Sequence, residues 1–166
     1  MGRPYHGQRN RLAPWLWLGI LDGMTRRDLI LAALATSRGE PFTPVQVQKM
    51  FFLIDQKAAH LIGGKKFDFA PYDYGPFDSS IYDDLSKMNK EGLIEIIGDA
   101  YSKGRKYCLL ETAQIQGEKI LKGASPNLRD YFVEVSKFVR SLSFAELVSS
   151  IYAAYPEMKI KSVFRE

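Results

Sequence analysis

Three times this 166-residue chain writes the same punctuation before an apolar run: Thr25-Arg-Arg-Asp28, Thr43-Pro-Val-Gln46 and Ser143-Phe-Ala-Glu146. A hydroxyl at the cap with an acid or amide three residues later satisfies the free N–H groups that open a helix. Apolar residues flank each one at staple spacing: Met24 with Leu29, Phe42 with Val47, Leu142 with Leu147. Proline follows Thr43 at the first helical position, where its missing N–H costs nothing. These signatures predict helices over 25–37, 44–62 and 144–155. Gly39 and Gly63-Gly64 end the first two, and Pro156 follows the third.

A fourth helix is expected from Asp78 as N-cap, with Ile81, Leu85 and Met88 on one face and Gly92 at its end. The runs LIEII and YCLLE around GDAYSKGRK predict a β-hairpin with a long tip. Thr112 is expected to cap a helix to about residue 122. Ser125-Pro126 opens another with an apolar face of Leu128, Phe132, Val135, Phe138, Val139 and Leu142. The inserted 65–77 stretch, with Phe67 and Phe69 around Asp68, predicts a further strand beside the hairpin.

The fold class that follows is α+β, mostly helical: a winged helix-turn-helix-like domain over 24–123 with a small β-hairpin and a C-terminal helical extension over 124–166. That extension must pack on the domain or on a second copy, and a homodimer is expected. Residues 1–23 read as an N-terminal tail. Its three arginines, Arg3, Arg9 and Arg11, against Asp22 supply half of the chain's net charge of +4. Trp15 and Trp17 lie in LAPWLWLGIL, with no small-x-small cleavage pattern after it. One reading makes Met24 the natural start and the tail an upstream-start artefact. The other makes the tail an apolar arm that docks on a partner or on its own domain.

No run of about 18 apolar residues is present, so no membrane-spanning helix is expected. The single cysteine, Cys108, excludes an internal disulfide and a multi-cysteine zinc site, and fits a cytoplasmic setting. Enzyme readings find little to stand on. His6 and His60 are isolated, Cys108 sits inside a strand, and Gly63-Gly64-Lys65-Lys66 lacks phosphate-loop spacing. No catalytic residue, metal or cofactor is expected.

The aspartates at 68, 73, 78 and 83 recur every five residues in FDFAPYDYGPFDSSIYDDL. That spacing spreads them over a strand, a turn and a helix, and does not converge as a hard-metal or acid–base site requires. Gly75 permits a tight backbone path and Pro76 removes a donor. Tyr72, Tyr74 and Phe77 pack the turn on the core, or the two phenolic hydroxyls meet a phosphate or a partner's carbonyl.

Read as a winged helix, the third helix turns Ser79, Asp83, Ser86, Lys87 and Lys90 outward. Ser79, Lys87 and Lys90 suit double-stranded DNA. Asp83 and Asp84 repel phosphates and suit a protein partner instead, as do Tyr72 and Tyr74. The hairpin tip gathers Lys103, Arg105 and Lys106 beside Tyr101 and Ser102, with Lys65 and Lys66 nearby, a pattern that fits phosphate contact.

The stretches VQKMFFLID (47–55), YDYGPFDSSIYDDL (72–85) and LSFAELVSSIYAAYP (142–156) resemble the YwgA family of bacterial proteins. More distantly they resemble the Panacea, or SocA-like, antitoxin-associated domain, which pairs an "LQK…YF" helix with a "YGP" turn. The similarity runs over nearly everything from Met24 onward. Panacea domains have Val or Ile after Gly-Pro, where this chain has Phe77, and the C-terminal helices match YwgA better. The resemblance implies a non-enzymatic binding module in a regulatory, toxin–antitoxin or phage-defence system, acting on DNA or on a partner protein such as a toxin or defence effector.

Overall fold

Thr25, Thr43, Ser125 and Ser143 each accept the backbone N–H three residues on, so four helices start where their hydroxyls place them. At Thr43 and Ser143 the reciprocal bond is also made, from the cap N–H to Gln46 and Glu146. Each such cap contributes about 1 kcal/mol. The structure is a computed structural model, which describes residues 23–98 and 104–165. Trp15, Trp17 and the rest of the expected tail up to residue 22, and Lys103 at the hairpin tip, lie outside the described residues.

The elements run α1 (Arg26–Ala35), α2 (Pro44–Ile62), β1 (Ala70–Tyr72), β2 (Gly75–Phe77), α3 (Ser80–Lys90), β3 (Ile94–Ile97), β4 (Lys106–Leu109), α4 (Glu111–Gly123), α5 (Pro126–Ser141), α6 (Phe144–Ala154) and a 3₁₀ turn (Pro156–Lys159). The fold is α+β and mostly helical, with two small antiparallel sheets. Phe42, between α1 and α2, exchanges both backbone bonds with Tyr107 of β4 at 2.8 Å. On the other side of β4, β3 pairs from Ile94↔Leu109 to Ile97↔Lys106. The isolated bridge at Phe42 thus flanks the β3–β4 hairpin, and α1, α2 and α3 come in the order expected of a winged-helix-like domain.

Helix α2 is the centre of the molecule. Met50, Phe51, Phe52, Ile54 and Ala58 are buried, and so are the polar Gln48, Lys49 and Asp55. Helix α5 lays Leu128, Phe132, Val135 and Val139 into the core, and Tyr131 donates to the Leu53 carbonyl of α2 at 2.9 Å. Helix α6 adds Leu147 and Ile151. The apolar faces of the C-terminal helices, from which self-association was expected, are thus covered by the chain itself. Phe138 departs from the expected face: it points outward, with Leu142 half-buried.

Helices α1 and α4 touch backbone to side chain at Gly117. A Cβ there would lie 2.5 Å from the Leu31 carbonyl oxygen and 2.6 Å from Ala35 Cβ. Only glycine admits this approach.

Three local expectations are corrected. The 65–77 insert does not extend the wing: β1 and β2 pair with each other, Tyr72 opposite Gly75, around the two-residue loop Asp73-Tyr74. Phe67 and Phe69 precede that hairpin; Phe67 stacks on Phe51 of α2 and Phe69 meets Phe52 edge-on, so their alternation reports ring packing. Helix α4 begins at Glu111 with Leu110 at its cap, because β4 runs straight into it and Leu110 N–H is held by the Leu93 carbonyl. Helix α3 begins at Ser80, two residues after Asp78.

Candidate functional site

The turn that precedes α3 is held by two adjacent side chains of α2. Gln48 donates to the Asp78 carbonyl at 2.9 Å and accepts the Asp78 N–H at 3.0 Å. Lys49 donates from Nζ to the Pro76 carbonyl at 3.0 Å. Both are almost fully buried, at 1% and 3% exposure. Asp78 uses its carboxylate on the other side, accepting from the Asp68 N–H at 2.8 Å, the Ser80 N–H at 2.9 Å and the Ser80 hydroxyl. Burial pushes this carboxyl up, but the Ser80 and Asp68 donors and nearby Arg26 outweigh it and hold it below the ordinary carboxylate range.

Asp55, two turns along α2, accepts the N–H groups of Lys66 and Phe67, both at 2.9 Å. Burial pushes its carboxyl up, against the pull of those donors and of Lys65 and Lys66. Arg26 completes the frame. Its guanidinium lies 4.5 Å from the Phe67 ring centroid, donates to Ser80 and the Lys66 carbonyl, and pairs with Asp84. Of the recurring aspartates, Asp78 holds structure through its carboxylate, Asp68 lends only its N–H and Asp73 its carbonyl, and Asp83 is exposed. Among the described residues no three His, Cys, Asp or Glu side chains converge as metal ligands.

What this framework holds up is a groove of about 760 Å³. Its walls are the first turns of α2 from Thr43 to Lys49, the β1–β2 hairpin, Tyr82 of α3, and the α5–α6 junction at Leu142, Phe144 and Leu147. The rim is aromatic and open: Tyr72 is 52% exposed, Tyr74 43% and Phe144 45%. Tyr74 meets Phe144 edge-on at 5.1 Å across the mouth. Tyr72 stacks on Phe77 at 4.9 Å, Phe77 leans on Tyr82 at 5.8 Å, and Tyr82 stacks on Tyr107 of the wing sheet at 6.2 Å.

Lys49 lines the groove beneath Gly75, whose φ is +94°, with Nζ 3.7 Å from where a Cβ would stand. Burial pushes this ammonium down to about 7. Among the described residues its other two N–H donors find no partner. The Tyr152 hydroxyl, buried below the same glycine, has none either. Residues 162–164 close one end: Val163 donates to the Asp73 carbonyl at 3.0 Å, and Phe164 meets Phe144 at 6.1 Å.

The sequence-derived site residues fall into separate groups. Tyr72 and Tyr74 stand on the groove rim, so they do not plug the core. Asp83, Lys87 and Lys90 are exposed on α3 as expected, and Ser79 is exposed at its cap, before the first helical residue. Asp84 is half-buried and neutralised by Arg26, so it is not a free acid facing phosphate or partner. Lys106 is exposed on β4. Arg105 does not reach out from the tip; its Nε is buried without a partner, and its charge bears on Tyr107 and Tyr82. Burial pushes the Cys108 thiol up, and Glu95 beside it pushes further. That is the setting of an unreactive thiol.

Gln48, Lys49, Asp55, Arg26 and Phe144 went unrecognised as site residues. The only signal for the first two was the "QK" within the resembling stretch, since a helical apolar pattern treats polar residues as solvent-facing. No protein-family model matches the chain, and no curated protein matches it. Among the described residues no helix is long and apolar enough to cross a membrane.

Proposed function

We propose that this protein is a cytoplasmic, non-enzymatic binding module of a bacterial regulatory or defence system, antitoxin-like in character, which captures a partner protein in the groove between the β1–β2 hairpin and α6. The observation that carries the reading is the open aromatic rim of Tyr72, Tyr74 and Phe144 on a buried polar framework. Exposed aromatics clustered at a well-formed concavity are the side chains that dominate protein recognition. The occupant is an extended segment with apolar side chains and a carbonyl or carboxylate positioned to take the spare donors of Lys49. The resemblance to YwgA and Panacea domains supports the same role, because its "QK" and "YGP" motifs are the two halves of the clamp that shapes this groove.

The test is direct titration with the product of the flanking gene. Tyr72→Ala, Tyr74→Ala and Phe144→Ala together should abolish capture, while Lys106→Ala should leave it unchanged. Equal binding by the triple variant would overturn the reading.

A second reading, double-stranded DNA bound by α3 and the wing, is favoured by the Phe42–β4–β3 sheet and by exposed Lys87, Lys90 and Lys106. It predicts duplex affinity that falls with salt by about 0.9 log units per phosphate contact. Absence of duplex binding at low salt would end it. Sedimentation at micromolar concentration tests the homodimer expected from the sequence.

A further inference from the structure

A second concavity, of about 810 Å³, lies on another face, where the end of α1, helix α4 and helix α5 meet. Five cations line it, Arg38, Lys122, Arg129, Lys137 and Arg140, against the single acid Glu118. That surplus equals the net charge of the whole chain, +4. Arg129, Lys137 and Arg140 share one stripe of α5 with Val133, at helical spacing. Lys137 and Arg140 are three apart, where like charges destabilise a helix. Among the described residues no carboxylate lies within ion-pair distance of any of the five; the ion pairs there are Arg26–Asp84 and Arg27–Glu91. Glu118 is engaged by the Gln114 amide at 2.9 Å.

The charge is also positioned in advance. Arg140 lies over the Phe42 ring at 5.7 Å and donates from Nε to Ser136, which is fully buried. Arg38 takes a left-handed backbone, φ +53°, three residues past the end of α1. That conformation is uncommon for a residue with a Cβ, and it puts this cation opposite the α5 stripe.

We propose that this cleft binds a compact polyphosphate ligand of the nucleoside triphosphate class. Unpaired cations on facing walls of one small concavity match charge concentrated in a small volume. The volume is that of a small-molecule site, roughly 300–1,000 Å³. Ala35, Leu121 and Val133 supply an apolar wall for a nucleoside. Arginine forks suit phosphate oxygens in pairs.

The experiment is calorimetric titration of the full chain with inorganic tripolyphosphate, with ATP and with a 20-base-pair duplex, at low salt. Tripolyphosphate and ATP should bind. Arg129→Gln with Lys137→Gln should weaken both by about tenfold or more, the loss expected for charged contacts. Lys57→Gln with Lys119→Gln removes the same charge from exposed positions outside the cleft and should leave affinity unchanged. Circular dichroism establishes that both double variants are folded. No heat with tripolyphosphate at millimolar concentration overturns the proposal, as does an equal loss in the two double variants. Tighter binding of duplex than of tripolyphosphate, abolished by the cleft variant, assigns the cleft to nucleic acid instead and likewise overturns it.

Discussion

Gln48 bonds both backbone polar groups of Asp78, its amide donating to the carbonyl and its own carbonyl accepting the N–H. One side chain on α2 thus fixes the residue from which α3 departs. Gln48→Ala leaves the buried Asp78 N–H unsatisfied, at about 1–3 kcal/mol, while the Asp78 carbonyl keeps the Ile81 N–H at 3.3 Å. Urea unfolding should show a loss of about 1–3 kcal/mol. A loss below 0.5 kcal/mol would show that water replaces the amide.

Lys49 makes stability depend on alkaline pH. Its folded value of about 7 lies below the ordinary 10.5, so between them the unfolded chain binds more protons. Stability must therefore rise with pH through that window, by at most about 1.4 kcal/mol per unit from this residue. The burial penalty is in full force below pH 7. Lys49→Met removes the titrating group, and urea midpoints at pH 6, 8 and 9.5 should show the two proteins diverging in favour of wild type as pH rises. A constant difference would refute the assignment.

Asp78 acts at the other end of the scale. Its carboxyl is held below 3.8, so its contribution is complete above that pH and fades as the pH falls through the lowered value. Asp78→Ala should cost about 2–4 kcal/mol near neutrality through the three lost acceptor bonds. The deficit against wild type should shrink in acid, as followed by thermal melts between pH 7 and 2.5.

Gly117→Ala sets a Cβ against the Leu31 carbonyl and Ala35, with no flexible atom to yield. Overpacking of this kind costs about 1–3 kcal/mol. A melting temperature lowered by several degrees with native circular dichroism is the expected result.

The rim aromatics should behave in the opposite way. Tyr72→Ala and Phe144→Ala remove exposed rings, and each should change stability by no more than about 0.5–1 kcal/mol. A larger loss would mean that the rim is part of the core.

The helices were legible because their ends carry local chemistry: Thr43, Ser125 and Ser143 settle their own hydrogen bonds within four residues. The β3–β4 hairpin was legible for the same local reason. What the sequence concealed is non-local. Phe67 and Phe69 alternate like a strand but answer to Phe51 and Phe52, and nothing near them in the chain says so. Gln48, Lys49 and Asp55 look solvent-facing until β1, β2 and residues 66–67 are folded over them. Asp84 looks like free charge until Arg26 arrives from 58 residues away. Arg105 reads as a wing-tip cation until the fold brings its charge to bear on Tyr107 and Tyr82, with its Nε buried.

The bond from Val163 to the Asp73 carbonyl, with Phe164 against Phe144, makes the 163–165 segment a built-in reporter. A fluorophore attached at position 165 sits beside the groove mouth and senses whatever enters it. Met24, held by the Ile62 carbonyl, marks the far end of α2, about 28 Å away along a 19-residue helix. A tether introduced there leaves the mouth unobstructed, so immobilisation at one end and optical readout at the other can be combined on a single molecule.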